Sequence, residues 1–259
     1  MSFRRILGVL TVKDGRLVKS YGYSRWRPVG SLRTALINLD RWNADEIVVL
    51  DISRRPTVDP EVLQVLRTVA VSTPVAYGGG IRRLDDVLLV LDAGADRIVI
   101  EDLAFIAADE VGRIADHIGQ QAILASLPIV GSKGPQLHVW RPQSRAGGAQ
   151  LSVTEGVERL AGMPCDEIFV TDVDAEGVAG RFSMQLAEEV GEALAGVRPA
   201  IWFGGLDAAQ AGDLVSQSLT AGIAFANCLS EGEIVLPRLR KEILRVARNP
   251  VRPTAHRHD

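Results

Sequence analysis

Cysteine and histidine are scarce in this 259-residue chain, which holds two of the first, Cys165 and Cys228, and four of the second. Two cysteines with no Cys-x-x-Cys or His-partnered spacing make neither a disulfide framework nor a zinc centre. No metal and no cofactor is expected. An excess of positive charge is missing too. A formal net charge of −3 with both signs interspersed excludes the basic stripe with which nucleic-acid binders displace phosphate counterions. No apolar run approaches the roughly 18 residues of a membrane helix. The start, "MSFRRILGVL", lacks the apolar core and small-residue cleavage site of a secretory signal. A cytoplasmic protein with no membrane or nucleic-acid partner is the expectation. The Gly-x-Gly-x-x-Gly turn that a dinucleotide fold carries after its first strand is absent as well.

What is present is a regular alternation. Short apolar runs ("RILGVLTV", "EIVVLDI", "TPVAYG", "DRIVIE", "QAILASL", "EIFVTDV", "PAIWFG", "GIAFANC") read as eight strands. Segments of helical period such as "SLRTALINLDRW" and "LDDVLLVLDAG" lie between them. Eight β–α units in one chain of this length predict an α/β fold, the (βα)₈ TIM barrel. The chain also repeats itself: "DEIVVLDI" around Glu46 answers "DEIFVTDV" around Glu167, and "VAYGGGI" answers "IWFGGL". A two-fold half-barrel repeat follows, with one barrel over residues 1–247, halves of about 1–119 and 120–247, and a short basic tail at 248–259.

"VKDGRLVK" after the first strand, "LDI" ending the second and "GGGI" after the third, followed by "DEIFVTDVDAEG" and "FGGL" at the sixth and seventh, stand in that order over nearly the whole chain. This ordered set resembles the cyclase subunit of imidazole glycerol phosphate synthase, in the histidine-biosynthesis barrel superfamily. The resemblance implies a heterodimer in which a glutaminase docks on the bottom face, and ammonia crosses the barrel to a reaction at the top. It implies an ammonia gate at the base built from Arg5, Glu46, Arg97 and Glu167, with arginine at position 97 in place of the family's lysine, and a partner contact at Asp96.

At the top the resemblance implies an acid–base pair of aspartates ending strands 1 and 5, and those positions hold Thr11 and Pro128. Neither side chain can exchange a proton near neutral pH. Asp51, Asp172 and Asp174 are the possible substitutes. The substrate-binding positions it implies are Lys19, Gly79, Gly80, Gly177, Gly204, Gly205 and Asn227. Glu101 and Asp102 replace an uncharged polar pair and would repel a phosphate in the first half, leaving the second half as the expected anion site. With Glu176 close by, an acidic mouth is expected. The stretch "SYGYSRWRPVGS", with Tyr21, Tyr23, Arg25, Trp26 and Arg27, reads either as a stacking surface for a sugar or nucleotide or as a lid on the barrel rim.

The function expected is that of a diverged cyclase-like synthase subunit. It pairs with a glutaminase and channels ammonia to an amidation of a small phosphorylated or sugar-like substrate, such as a surface-polysaccharide sugar. Two alternatives stay open. One is a genuine imidazole glycerol phosphate synthase subunit of histidine biosynthesis. The other is a non-catalytic barrel, a pseudoenzyme that binds a ligand or activates a partner.

Overall fold

The computed structural model describes residues 4–134, 136–141, 151–230 and 235–247; the basic tail at 248–259 lies outside the described residues. The strands are β1 (Arg5–Lys13), β2 (Arg16–Tyr21), β3 (Arg25–Gly30), β4 (Glu46–Asp51), β5 (Val75–Gly78), β6 (Arg97–Ile100), β7 (Ile123–Val130), β8 (His138–Val139), β9 (Glu167–Asp172), β10 (Ala200–Phe203) and β11 (Thr220–Phe225). Eight of these, β1, β4, β5, β6, β7, β9, β10 and β11, pair in parallel in that order, and β11 pairs with β1 to close the barrel. They are the eight strands the sequence pattern predicts. The other three are insertions at the top: β2 and β3 form an antiparallel hairpin on the end of β1, and β8 pairs antiparallel to β7.

The helices are α1 (Leu32–Arg41), α2 (Pro60–Thr68), α3 (Leu84–Asp92), α4 (Asp102–Ile106), α5 (Ala108–Ile118), α6 (Val153–Ala161), α7 (Met184–Leu194), α8 (Ala208–Val215) and α9 (Val235–Val246). Their starts are written in the sequence. Ser31, Asp59, Ser152, Ser183 and Asp207 each accept a hydrogen bond from an amide in the first turn of the helix that follows, satisfying a donor that the helix itself leaves unpaired. Amphipathic helices then bury their apolar stripes on the outer face of the barrel, against Ile6, Leu10, Val49, Ile98 and Trp202 among others. The last helix is fixed at the base by a buried ion pair, Arg240 Nη2 to Asp45 Oδ2 at 3.0 Å.

Strand alternation sorts the remaining side chains into the barrel interior. Leu7, Val9, Val48, Ala76, Val99, Leu124, Phe169, Ile201, Phe203 and Ala224 form one inner apolar cluster. Below it, at the strand starts, the same inward positions carry charge. Above it they carry Thr11, Leu50, Glu101, Ser126, Pro128 and Thr171.

The two halves match in their pairings. Thr11 lies beside Leu50 and Val12 beside Asp51, while Pro128 lies beside Thr171 and Ile129 beside Asp172. Thr11 and Pro128 are therefore equivalent positions in the two halves. The proline sits inside a central strand without breaking it because β6 has ended. Its last pairing with β7 is at Ala125, so no β6 carbonyl is left waiting for the missing N–H, and on that same side the Pro128 carbonyl accepts from Trp140 N at 2.8 Å, where β8 runs alongside β7. The glycine turns match in the same way. At Gly79 (φ +119°) and Gly204 (φ +106°) a Cβ would come within 2.4 Å of the carbonyl oxygen of Asp51 and of Asp172 respectively.

This equivalence gives a test. Gly79→Ala and Gly204→Ala should each lose about 2 kcal/mol or more of stability, since each adds a Cβ against backbone in a conformation L residues avoid. Gly196→Ala, with a positive φ but open space around it, should lose only about 1 kcal/mol. Urea midpoints read the difference; equal values for all three would show that the paired turns are not tightly closed.

Candidate functional site

Two constellations stand at opposite ends of the barrel. At the base, Arg5 opens β1, Glu46 β4, Arg97 β6 and Glu167 β9. Arg5 Nη1 donates to Glu46 Oε2 at 2.6 Å and Arg5 Nη2 to Glu167 Oε1. Arg97 Nη1 donates to Glu46 Oε1 at 3.3 Å and to Glu167 Oε2 at 3.0 Å. Each carboxylate is thus held by both arginines in a closed ring. Glu46 and Glu167 are only 2% and 7% exposed, a burial that charges tolerate only when paired. Burial pushes the Glu46 carboxyl up, against the pull of Arg5 and Arg97. Burial would lower Arg5, but Glu167 and Glu46 outweigh it and the guanidinium is raised. Arg97 also donates from Nε to the Gln121 carbonyl at 3.0 Å and from Nη2 to Asp166 at 3.4 Å. A lysine ammonium, a single point, could not span that set. Asp96 is exposed beside the ring and accepts from Val75 N at 2.8 Å.

At the mouth a cavity of about 470 Å³ opens over β4 to β9. Glu101, Ser126, Phe169, Thr171 and Tyr23 line its depth, Asp51, Gly79 and Gly80 its side, and Arg54, Arg55, Arg82 and Trp140 its rim. The three arginines correct the expectation of an acidic mouth: both signs of charge meet there. Arg54 holds a left-handed backbone (φ +58°) and lays its guanidinium 5.2 Å over the Trp140 ring, a cation–π contact. Arg55 pairs with Asp59 at 3.2 Å.

The β2–β3 hairpin folds over the other half of the mouth. Tyr23 (φ +52°) packs on the inner cluster, its ring 5.9 Å from Trp140, and its hydroxyl bonds to Thr171. Burial, then Glu176 and Glu101, raise that phenol well above its ordinary value. Glu176 Oε2 accepts from Ser20 Oγ at 3.1 Å and from Tyr23 N at 3.3 Å. Asn227 Nδ2 donates to the Ser20 carbonyl at 2.6 Å and the Gly177 carbonyl at 3.2 Å. The turn of Gly177, Gly204 and Gly205 is left with a cleft of about 40 Å³ around it. The mouth cavity lies on the first half. Of the two readings of this stretch, the hairpin is a lid packed on the rim, with Trp26 outside at 41% exposure.

The other candidate residues divide by position. Asp51 lines the cavity, accepts from Ser53 N at 2.8 Å and from Ser53 Oγ, and is raised by burial. Asp172 is fully buried, with Oδ1 accepting from Ser132 Oγ and Ala175 N and Oδ2 from Ser183 N. Asp174 accepts from Gly131 N and Ser132 N. Those two carboxylates hold the loop after β7 and do not line the cavity. Lys19 is buried on β2 opposite Arg27, outside the cavity lining. Thr11 lines a second cavity, of about 540 Å³, between β1, the hairpin, α1 and the segment after β11, where Asn227 also reaches it. Among the described residues no His, Cys, Asp and Glu cluster is suited to hold a metal ion, and no helix is long and apolar enough to cross a membrane.

Glu101 has a larger place in the site than the repulsive charge expected of it. It continues the inward column of β6, Arg97 to Val99 to Glu101, a signal that strand alternation alone carries. Its carboxyl accepts from Ser126 Oγ at 3.4 Å. Burial first and the Asp102 charge second raise it to about 7, with Ser126 and Arg54 pulling the other way. A carboxyl poised near neutrality in a cavity can both take and give a proton at working pH.

A raised carboxyl stabilises the fold only while it keeps its proton. That contribution is complete below about pH 4.5 and fades as pH rises through about 7. Glu101→Gln, neutral throughout, should match the parent near pH 4 and exceed it above pH 7 by up to about 3 kcal/mol. Taking the difference between the two proteins cancels Asp51, Asp172 and Glu176, which burial also raises. Urea unfolding across pH reads it, and a constant difference from about pH 4 to 8 would show that Glu101 titrates normally.

A family model described as "Histidine biosynthesis protein" matches residues 5–235, from the first strand through the start of α9. The chain is similar to the imidazole glycerol phosphate synthase subunit HisF of Exiguobacterium sp. (strain AT1b), at 30% identity over 194 residues that cover 73% of this chain and 74% of that one. With the closed eightfold barrel, these matches establish that the chain belongs to the histidine biosynthesis protein family, among the HisF-like barrels.

Proposed function

We propose that this barrel is a diverged synthase subunit that pairs with a glutaminase at its base and passes ammonia to a reaction in the mouth cavity. The observation that carries the reading is the ring of Arg5, Glu46, Arg97 and Glu167. A buried four-charge ring contributes little net stability over an apolar plug of the same volume, so its retention at the axial opening favours a gate. The ring is asymmetric in a way that suits opening. The Arg5 side chain is 24% exposed and that of Arg97 13%. If Arg5 swings outward, Glu46 and Glu167 keep Arg97 between them, and no buried carboxylate is stranded.

The reaction at the top is an amidation rather than the family's ring closure. Thr11 and Pro128 occupy the two equivalent positions where the family carries its acid–base aspartates. Asp172 and Asp174 are committed to the loop after β7, and a threonine with a buried hydroxyl that has no hydrogen-bond partner among the described residues cannot replace them. Arg54, Arg55 and Arg82 at the rim suit a substrate with an anionic group, such as a phosphorylated or acidic sugar. One observation favours the second reading, a genuine imidazole glycerol phosphate synthase subunit: Asp51 lines the cavity and is available for proton transfer.

The gate has a clear signature. In the presence of the cognate glutaminase, Arg5→Ala should leave glutamine hydrolysis running while amidated product falls, and added ammonium salt should restore product. Asp96→Ala should instead weaken activation of the glutaminase, since that exposed carboxylate lies beside the ring at the docking face. An unchanged ratio of glutamine consumed to product formed in Arg5→Ala would make the ring structural. Failure of any glutaminase to bind would favour the ligand-binding barrel.

A further inference from the structure

Ammonia entering at the ring must cross an apolar layer before it reaches the mouth. The inward positions directly above the four charges are Leu7, Val48, Val99 and Phe169, within the inner cluster. An ammonium ion would lose its hydration there at a prohibitive cost, whereas neutral ammonia crosses at a far smaller one. The column that leads out of this layer on β6 ends at Glu101, four residues and roughly 13 Å above Arg97.

The surroundings of Glu101 are those of a small-amine site. Its carboxyl, the Ser126 and Thr171 hydroxyls and the Phe169 and Tyr23 rings all line the same cavity. Together they offer acceptors for N–H groups and aromatic faces that attract a cation. Among the described residues the Glu101 carboxyl has one hydrogen-bond donor, Ser126 Oγ, and that bond is long, so it has room to accept more. Charged and titratable groups face it from several elements: Asp102 at the start of α4, Arg54 from the loop after β4, and Tyr23 from the hairpin. Asp51, Arg55 and Arg82 stand further out on the wall and rim.

We propose that the depth of the mouth cavity at Glu101 is a site for ammonia and small primary amines, in which Glu101 exchanges a proton with the bound nitrogen. The exchange is balanced within the pair. A protonated Glu101 gives its proton to arriving ammonia, leaving a carboxylate beside an ammonium ion, and takes the same proton back when the nitrogen is released as a nucleophile. Carboxyl and nitrogen share one proton throughout, and no other reactant is required. The site deepens the ammonia-delivery reading and rests on it for its biological role, yet it can be tested without a glutaminase or an acceptor substrate.

The test uses the whole chain with side-chain carboxyls of glutamate labelled with ¹³C, titrated by NMR in ammonium chloride, methylammonium chloride and potassium chloride of equal ionic strength. The Glu101 midpoint should fall by about one pH unit in the two amine salts relative to potassium, because a bound cation favours the carboxylate. Tetramethylammonium, too large and without N–H groups, should act like potassium. Glu101→Gln should remove the shifting resonance. Equal midpoints in all four salts would overturn the proposal, and that comparison needs only the parent protein, so it stands even if Glu101→Gln fails to fold. The two readings fail separately. A salt-specific shift with no coupling to any glutaminase leaves the amine site and removes its supply; coupling without the shift keeps the gate and removes the site.

Discussion

Two buried glutamates at the base of the barrel can stay charged only because two arginines share them. Glu46 and Glu167 stand at matched places in the two halves, and Arg5 and Arg97 each bridge both. Those four bonds tie β1, β4, β6 and β9 to one another across the barrel axis. Removing one glutamate would leave two guanidiniums with a shared partner lost, a far larger penalty than the ring's net contribution. Its geometry constrains what lies above it. The inward register that puts these charges at the base also puts Leu7, Val48, Val99 and Phe169 in the middle, and Leu50, Glu101 and Thr171 at the top.

The top face breaks the symmetry that the base keeps. The paired glycine turns are alike, yet the mouth cavity opens beside the first and only a small cleft is left at the second. The second is covered by the β2–β3 hairpin, fixed by Glu176 and Asn227 and plugged by Tyr23. Residues that sequence symmetry assigns to a second binding turn thus serve as the seat of the hairpin. In the first half the cavity combines a titratable carboxyl inside with arginines at the rim. On the proposed reading, that arrangement suits a ligand with an anionic end outward and a reacting end inward.

Much of this is legible in the sequence. Strand count, helix starts and barrel class follow from alternation, capping residues and the repeat, all of them local or periodic signals, whereas the equivalence of Thr11 with Pro128 is seen in the strand pairings. The four strand-start charges of the ring are named in the sequence by the family resemblance, and the folded strands then bring them into contact. What is not legible depends on contacts between distant segments. The seating of the hairpin joins Ser20 and Tyr23 to Glu176 and Asn227, and no local pattern encodes that pairing. Asp172 and Asp174 resemble free strand-end carboxylates in the sequence because their partners, Ser132, Gly131 and Ser183, come from other loops. The three rim arginines lie on two separate loops and gather only in the folded barrel, which is why the sequence alone suggests an acidic mouth.

The central claim is that the base of a HisF-like barrel persists here beneath a mouth whose chemistry has changed. Its most direct test is steady-state ring closure with the substrate of imidazole glycerol phosphate synthase and saturating ammonium salt, run beside the Exiguobacterium HisF as control. The account predicts a rate at least about 100-fold below the control, since each missing acid–base group is worth about 10² to 10⁴ in rate. A rate within about tenfold of the control would contradict it and make this chain a working cyclase with relocated proton-transfer groups.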